Sequence, residues 1–171
     1  MPLLPLVTIN NKRDEDFLRR KTANFDFSKF KRGELKDLVQ NMRRTMKEAH
    51  GVGLSANQIG YNFRMFVAEY DNKFYAIFNP KITKFSKETA EMEEGCLSVP
   101  KKYGLVKRSF RVTLSGFNVE GRKIKIRARG FLARIFQHET DHLSGKLFID
   151  RTLNVYDSPM PAEPQQDTEN D

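Results

Sequence analysis

Residues 130–145 read GFLARIFQHETDHLSG, and this stretch decides the fold. Phe131, Leu132, Ile135, Phe136 and Leu143 recur at helical spacing, which predicts a packed helix over about 130–143 with Gly145 beyond its end. His138 and His142 stand four residues apart, about 40° around such a helix, so both imidazoles can reach one metal ion. Glu139 sits beside them and can take a proton from a metal-activated water without being a ligand itself. Two of the chain's three histidines fall at this spacing on an apolar helix, which argues against an ordinary solvated face.

Working outward, a second amphipathic helix is predicted over Glu34–His50, where Leu35, Leu38, Val39, Met42, Met46 and Ala49 share one face and Gly51 and Gly53 stop it. Arg64–Tyr70 and Lys73–Phe78 read as strands of a hairpin turning at Asp71-Asn72, and Lys81–Met92 reads as a further strand. Phe110–Val119 and Arg122–Arg127 form a second hairpin around Glu120-Gly121. A helix, several strands and a helix in that order predict an α+β fold.

The 171 residues suit one domain, and 39% hydrophobic residues suffice for a core. No apolar run approaches the roughly 20 residues of a membrane helix. The apolar start, MPLLPLV, is short, broken by prolines and lacks the basic region of a signal peptide. A single cysteine forms no internal disulfide, so the expectation is a soluble protein of a reducing compartment. The formal charge is +8, from 30 Lys+Arg and 22 Asp+Glu. Five of the acids lie in residues 152–171, which hold no Lys or Arg; the other 17 against 30 bases leave residues 1–151 at +13. So basic a body suits a nucleic-acid surface, the ribosome included, although no dense Lys/Arg block with interleaved aromatics marks sequence-specific recognition. Residues 158–171, SPMPAEPQQDTEND, are expected to form an acidic, disordered tail.

The third ligand decides the class of metal site. A metzincin needs a histidine six residues after His142, where Phe148 stands, and a gluzincin needs a downstream helical glutamate. Only Glu163 and Glu169 follow, both in the tail. The remaining soft donor is upstream: Cys96, in EEGCLSVP (93–100). A thiolate with two imidazoles makes a three-ligand site with an open position. A third segment, GVGLSANQ (51–58), carries two glycines that admit a ligand close to the backbone, and Gln58 offers an amide.

GVGLSANQ, EGCLS and QHETDHLSG, in that order, closely resemble the three signature segments of the peptide deformylase family, over about residues 8–152. The resemblance implies an α+β fold, with antiparallel or mixed sheets packed around a central helix carrying H-E-x-x-H. It implies a single catalytic domain over 1–157. The implied activity is removal of the formyl group from the N-terminal formylmethionine of new polypeptides, with release of formate. Cys96, His138 and His142 become the metal ligands. Glu139 becomes general base and then acid, and the Gln58 amide with the Leu97 backbone N–H stabilises the oxyanion. The backbone around Val52, Gly53 and Gly95 would bind the extended peptide. Val52, Met92, Glu94, Phe131, Ile135 and His138 would line the methionine pocket, with the Arg134 stem added to its wall. One divalent ion per chain is implied, Fe(II) for function, with Zn(II), Ni(II) or Co(II) able to replace it. Formyl-Met nascent chains are the implied partners of a cytoplasmic monomer, with transient ribosome contact through the basic body. The alternative is a catalytically silent deformylase-like module that binds peptide or ribosome; degenerate versions should lose Glu139, Cys96 or Gln58, and all three are present.

Three departures stand out. Ser55 replaces the usual alanine after Leu54, and a buried hydroxyl needs a partner. Tyr103 stands where some members place an arginine near substrate, and Arg108 is free to pair with Glu93 or Glu94. The acidic tail stands where some bacterial members carry a basic helix that docks on the ribosome.

Overall fold

The computed structural model describes residues 3–157, so the expected acidic tail lies outside the described residues. Three α-helices occur among them, α1 (Lys12–Leu18), α2 (Arg32–Glu48) and α3 (Gly130–His142). Strands β1 (Gly53–Ser55), β2 (Met65–Tyr70), β3 (Lys73–Phe85), β6 (Arg111–Phe117) and β7 (Lys123–Arg129) form one sheet in the order β1-β2-β3-β6-β7. Strands β4 (Thr89–Cys96), β5 (Val99–Ser109) and β8 (Tyr156–Asp157) form a second sheet in the order β4-β5-β8. Every pairing between these strands is antiparallel, which narrows the expected antiparallel or mixed arrangement.

The run Met65-Phe66-Val67-Ala68 is fully buried because its alternating side chains face two different layers. Met65 and Val67 join Leu35, Val39, Met42 and Met46 of α2. Phe66 and Ala68 point the other way, into a cluster with Ala133, Ile135 and Phe136 of α3. The β1–β3 half of the large sheet is therefore covered on both faces. In the β6–β7 half, Val112, Leu114 and Ala128 pack on the α3 side. A smaller core of Val99, Val106, Leu147 and Phe148 fills the second sheet, and α3 touches strands of both sheets.

The expected hairpin turn is present: Asp71 and Asn72 both have positive φ (51° and 56°), the type I′ pattern, and Tyr70 pairs with Lys73. Helix α2 starts two residues before the expected Glu34, because the Lys31 N–H donates to the Glu34 carboxylate at 2.8 Å and fixes the cap. The strand expected over Lys81–Met92 is not one strand. Strand β3 continues from Lys73 through Asn79-Pro80 to Phe85, absorbing those two residues in a bulge with Asn79 at φ 48°. The chain then breaks at residues 86–88, and β4 begins a separate sheet. Sequence reading missed α1, β5 and β8, and read the stretch that forms β1 as a loop.

Helix α2 is also held to the sheet electrostatically. Glu69 of β2 accepts from Arg43 Nε at 2.7 Å and lies 2.9 Å from Lys47 Nζ. The Arg43 hydrogen bond, then that of Lys47, lowers its carboxyl to about 2 from the usual 4.5. A depressed carboxylate pKa stabilises the fold above the unfolded value and loses that contribution as pH falls toward the folded one. Because both cations are partly exposed, the contribution is modest. Glu69→Gln is expected to cost about 1 kcal/mol at pH 7 by urea denaturation. The gap from wild type should close between pH 4.5 and about 2.

Candidate metal centre and active site

Strand β4 and helix α3 bring three soft or borderline donors to one point. A register shift between Gly95 and Cys96 re-pairs Cys96 with Val99 at the end of the β4–β5 ladder. Its Sγ lies 3.2 Å from His142 Nε2, and His142 Nε2 lies 3.1 Å from His138 Nε2. The three ligand atoms all fall within 4.8 Å of one another. Lone pairs so close repel unless a cation or shared protons sit among them. A thiolate and two imidazole Nε2 atoms are the donor set of a borderline transition metal, so these residues fit a divalent ion. His142 is 1% exposed, and its Nδ1 has no partner among the described residues.

His138 is oriented from behind. Its Nδ1 donates to Glu94 Oε2 at 2.9 Å, which fixes the tautomer and leaves Nε2 for a ligand role. Glu94 also accepts from Arg108 at 2.5 and 2.9 Å and from Arg134 at 2.6 Å. Burial opposes charge on Glu94, but Arg108 and His138 outweigh it and hold its carboxyl well below the usual carboxylate range. Arg108 thus selects Glu94 over Glu93, and it reaches on to Asp141 at 2.8 Å.

Glu139 is 3% exposed, and burial raises its carboxyl above the ordinary value, against the pull of His138 and of the Ser55 hydroxyl. Ser55 Oγ lies 2.6 Å from Glu139 Oε2, so the hydroxyl that stands in place of alanine has its partner in this carboxylate. The Ser55 N–H donates to Gln58 Oε1 at 2.8 Å. That bond fixes the amide orientation, with Nε2 3.1 Å from Ser98 Oγ and 3.6 Å from Cys96 Sγ. The other oxygen of Glu139 lies against Gly53, where a Cβ would come within 2.3 Å of Oε1.

A cavity of about 350 Å³ opens over these groups. Val52, Met92, Phe131 and Ile135 form its apolar wall; Gly53, Gly95 and Leu97 also line it. Gln58, Cys96, His138 and Glu139 line its polar end. Glu94 and Arg134 also line it, with their charged ends bonded to each other. His142 alone of the expected site residues lies beneath the lining. Gly51, one of the two glycines expected to admit a ligand, also lines the cavity; Ala49 and His50 line it too and were not read from sequence, although His50 holds a positive φ of 56°. Tyr103 completes the rim, its ring packed on Gly95.

The polypeptide deformylase family model matches residues 4–157. The chain belongs to this family. It is 46% identical over 120 residues to a peptide deformylase of Halothermothrix orenii, a match covering 69% of this chain and 77% of that one. It is 41% identical over 124 residues to that of Desulforudis audaxviator, covering 72% and 80%. The crystal structure of the Thermotoga maritima deformylase aligns with a TM-score of 0.81 at 34% identity, over 90% of this chain and all of that one. An actinonin-bound class I type b deformylase of Acinetobacter baumannii aligns at 0.80 and 35% identity, over 88% and 99%. Peptide deformylases are enzymes, hydrolases of protein biosynthesis.

The Gly53 contact separates deformylase activity from stability. Gly53→Ala pushes a methyl into the Glu139 carboxylate, the movable end of a side chain. Peptide turnover is expected to fall at least tenfold, with the thermal midpoint lowered by only a few degrees, as measured by a kinetic assay beside a melting curve.

Proposed function

We propose that this deformylase hydrolyses the N-formyl amide of formylmethionine on newly made polypeptides, releasing formate and a free N-terminal methionine. The observation that carries the reading is the meeting of Cys96, His138 and His142 with the Glu139 carboxylate and the Gln58 amide at one end of an apolar cavity. Cys96, His138 and His142 would hold one divalent ion, Fe(II) in the functional enzyme with Zn(II), Ni(II) or Co(II) as substitutes. When bound, the ion supplies Lewis acidity, which makes water more acidic and polarises a carbonyl.

The chain's own residues do the rest. Glu139 accepts a proton from the attacking water and returns it to the departing amine nitrogen, as a C–O bond forms and the C–N bond breaks. Its burial and the Ser55 hydroxyl fix the carboxylate, leaving Oε1 on the Gly53 side. The Gln58 amide, anchored through Oε1, and the backbone N–H of Leu97 donate to the developing oxyanion. Val52, Met92, Phe131 and Ile135 receive the unbranched methionine side chain, with Glu94 and the Arg134 stem closing the wall. Gly53 and Gly95 let the extended peptide lie against backbone, since neither presents a side chain. Helix α3, carrying His138, Glu139 and His142, is central to this arrangement because it touches both sheets. Residues 1–157 form one catalytic domain, which acts as a cytoplasmic monomer and touches the ribosome transiently through its basic body. No helix among the described residues is long and apolar enough to cross a membrane.

Formate release from a formyl-Met tripeptide by anaerobically prepared Fe(II) enzyme tests the reading. Glu139→Gln should keep its iron and lose about 10²–10⁴ in kcat. Cys96→Ser should lose most bound metal, read by elemental analysis, and turnover with it. Turnover by Glu139→Gln within a few-fold of wild type would sink the mechanism. Wild-type protein that binds the formylated peptide without consuming it would be a binding module.

A further inference from the structure

The two halves of the large sheet differ on the face that α2 covers. Over β1–β3 that face is apolar and packed. Beyond the reach of α2 it carries solvent-exposed cations: Lys81 and Lys84 of β3, Arg111 of β6 and alternate residues of β7. In β7, Lys123, Lys125, Arg127 and Arg129 are all exposed, while Ile124, Ile126 and Ala128 between them turn toward the α3 core. The register carries the charge across the sheet, since Lys125 pairs with Ser115, which pairs with Lys81, and Arg127 pairs with Thr113, which pairs with Lys84. Thr113, between two exposed cations, is itself only 8% exposed.

Anions are scarce here. Residues 81–87 and 111–129 contain a single acid, Glu120, in the turn at the end of β6, and the neighbouring Glu88 is paired with Arg111 at 2.7 Å. Helix α1, by contrast, intersperses its cations with Asp14, Glu15 and Asp16. Successive cations on β7 lie about 7 Å apart along a rigid strand, close to the spacing of phosphates along a nucleic-acid strand. At the end of the face, the guanidinium groups of Arg111 and Arg129 each lie 5.9 Å from the Phe110 ring.

We infer that this face is a binding surface for RNA, gripping the phosphate backbone without reading base sequence. The cations stand on a hydrogen-bonded sheet and not on an amphipathic helix with an apolar side to insert, which favours RNA over a lipid surface. The inference rests on the deformylase reading in one respect: an enzyme of newly made polypeptides works where RNA is the abundant polyanion. It deepens that reading by assigning the contact to β3, β6 and β7, on the sheet face opposite the one that packs on α3.

The test is the anisotropy of a labelled RNA hairpin titrated with the full-length metal-loaded enzyme over a range of salt, with formyl-Met peptide turnover measured in parallel. Lys125→Glu/Arg127→Glu is compared with Lys21→Glu/Lys36→Glu, an equal charge change elsewhere on the exposed surface. Wild-type binding should weaken with a log–log salt slope of about −4. The β7 variant should lose at least tenfold affinity and about 2 of that slope, with turnover within twofold of wild type, and the control should bind within threefold. Equal losses in the two variants, no RNA binding at low salt, or stronger retention on phosphatidylglycerol vesicles than on RNA would overturn the inference. RNA binding lost only in the β7 variant, in a protein that releases no formate, would uphold the face and count against the deformylase reading alone.

Discussion

One buried carboxylate organises the site. Glu94 lies on β4 two residues before Cys96, and it binds Arg108 of β5 together with Arg134 and His138 of α3. Two strands of the small sheet and the helix of the H-E-x-x-H segment thus meet at a single group. Removing this charge from water costs several kcal/mol, which only well-formed partners offset. Both Glu94 oxygens are bonded, and Arg134 further donates to the carbonyls of Val106 and Ala90 at 2.8 Å. Because the same strand carries Glu94 and Cys96, a shift of β4 against α3 would break the ion pairs before it could misplace the thiolate. Asp141 extends the network, accepting from Arg108 and from Arg151 just beyond the 3₁₀ turn Phe148–Asp150.

The other constraint is the absence of side chains. Gly53 gives Glu139 its room, and Gly95 gives room to the Tyr103 ring, where a Cβ would lie 2.7 Å from the nearest ring carbon. Close approach of this kind makes the polar groups rigid. Ser55 adds to it from the same short strand, since its N–H holds Gln58 and its hydroxyl holds Glu139. Two groups assigned opposite electrostatic roles, a base and an oxyanion donor, are therefore positioned by one residue. Both groups are buried, and such fixed dipoles act without reorganising.

What was legible in the sequence was local. The spacing of His138 and His142 and the apolar stripe of α2 are properties of one helix each, and both appear as read. Cys96 was reachable only by eliminating downstream ligands and by the order of three segments. Strand β3 was cut short because Asn79-Pro80 looks like a terminator, while in the fold a bulge carries the strand across it. Strand β5 was missed because its neighbours in space, β4 on one edge and the two-residue β8 on the other, give it an irregular burial pattern instead of clean alternation. The Ser55–Glu139 bond joins residues 84 apart, and no periodicity reports such a contact. The demand that a buried hydroxyl find a partner was legible; its identity was not.

The large sheet also shows how one strand can answer to two requirements. In β7 the period of two sends Ile124, Ile126 and Ala128 to the α3 core and Lys123, Lys125, Arg127 and Arg129 to solvent. A helix as long as α2 spans only about 25 Å, and it is spent on β1–β3, where β2 needs cover on both faces. The uncovered half must then be polar, but polarity alone asks only for mixed charge, as on α1. A nearly uniform positive face incurs mutual repulsion that folding does not require. Its placement away from α3 lets those charges vary without moving His138, Glu139 or His142.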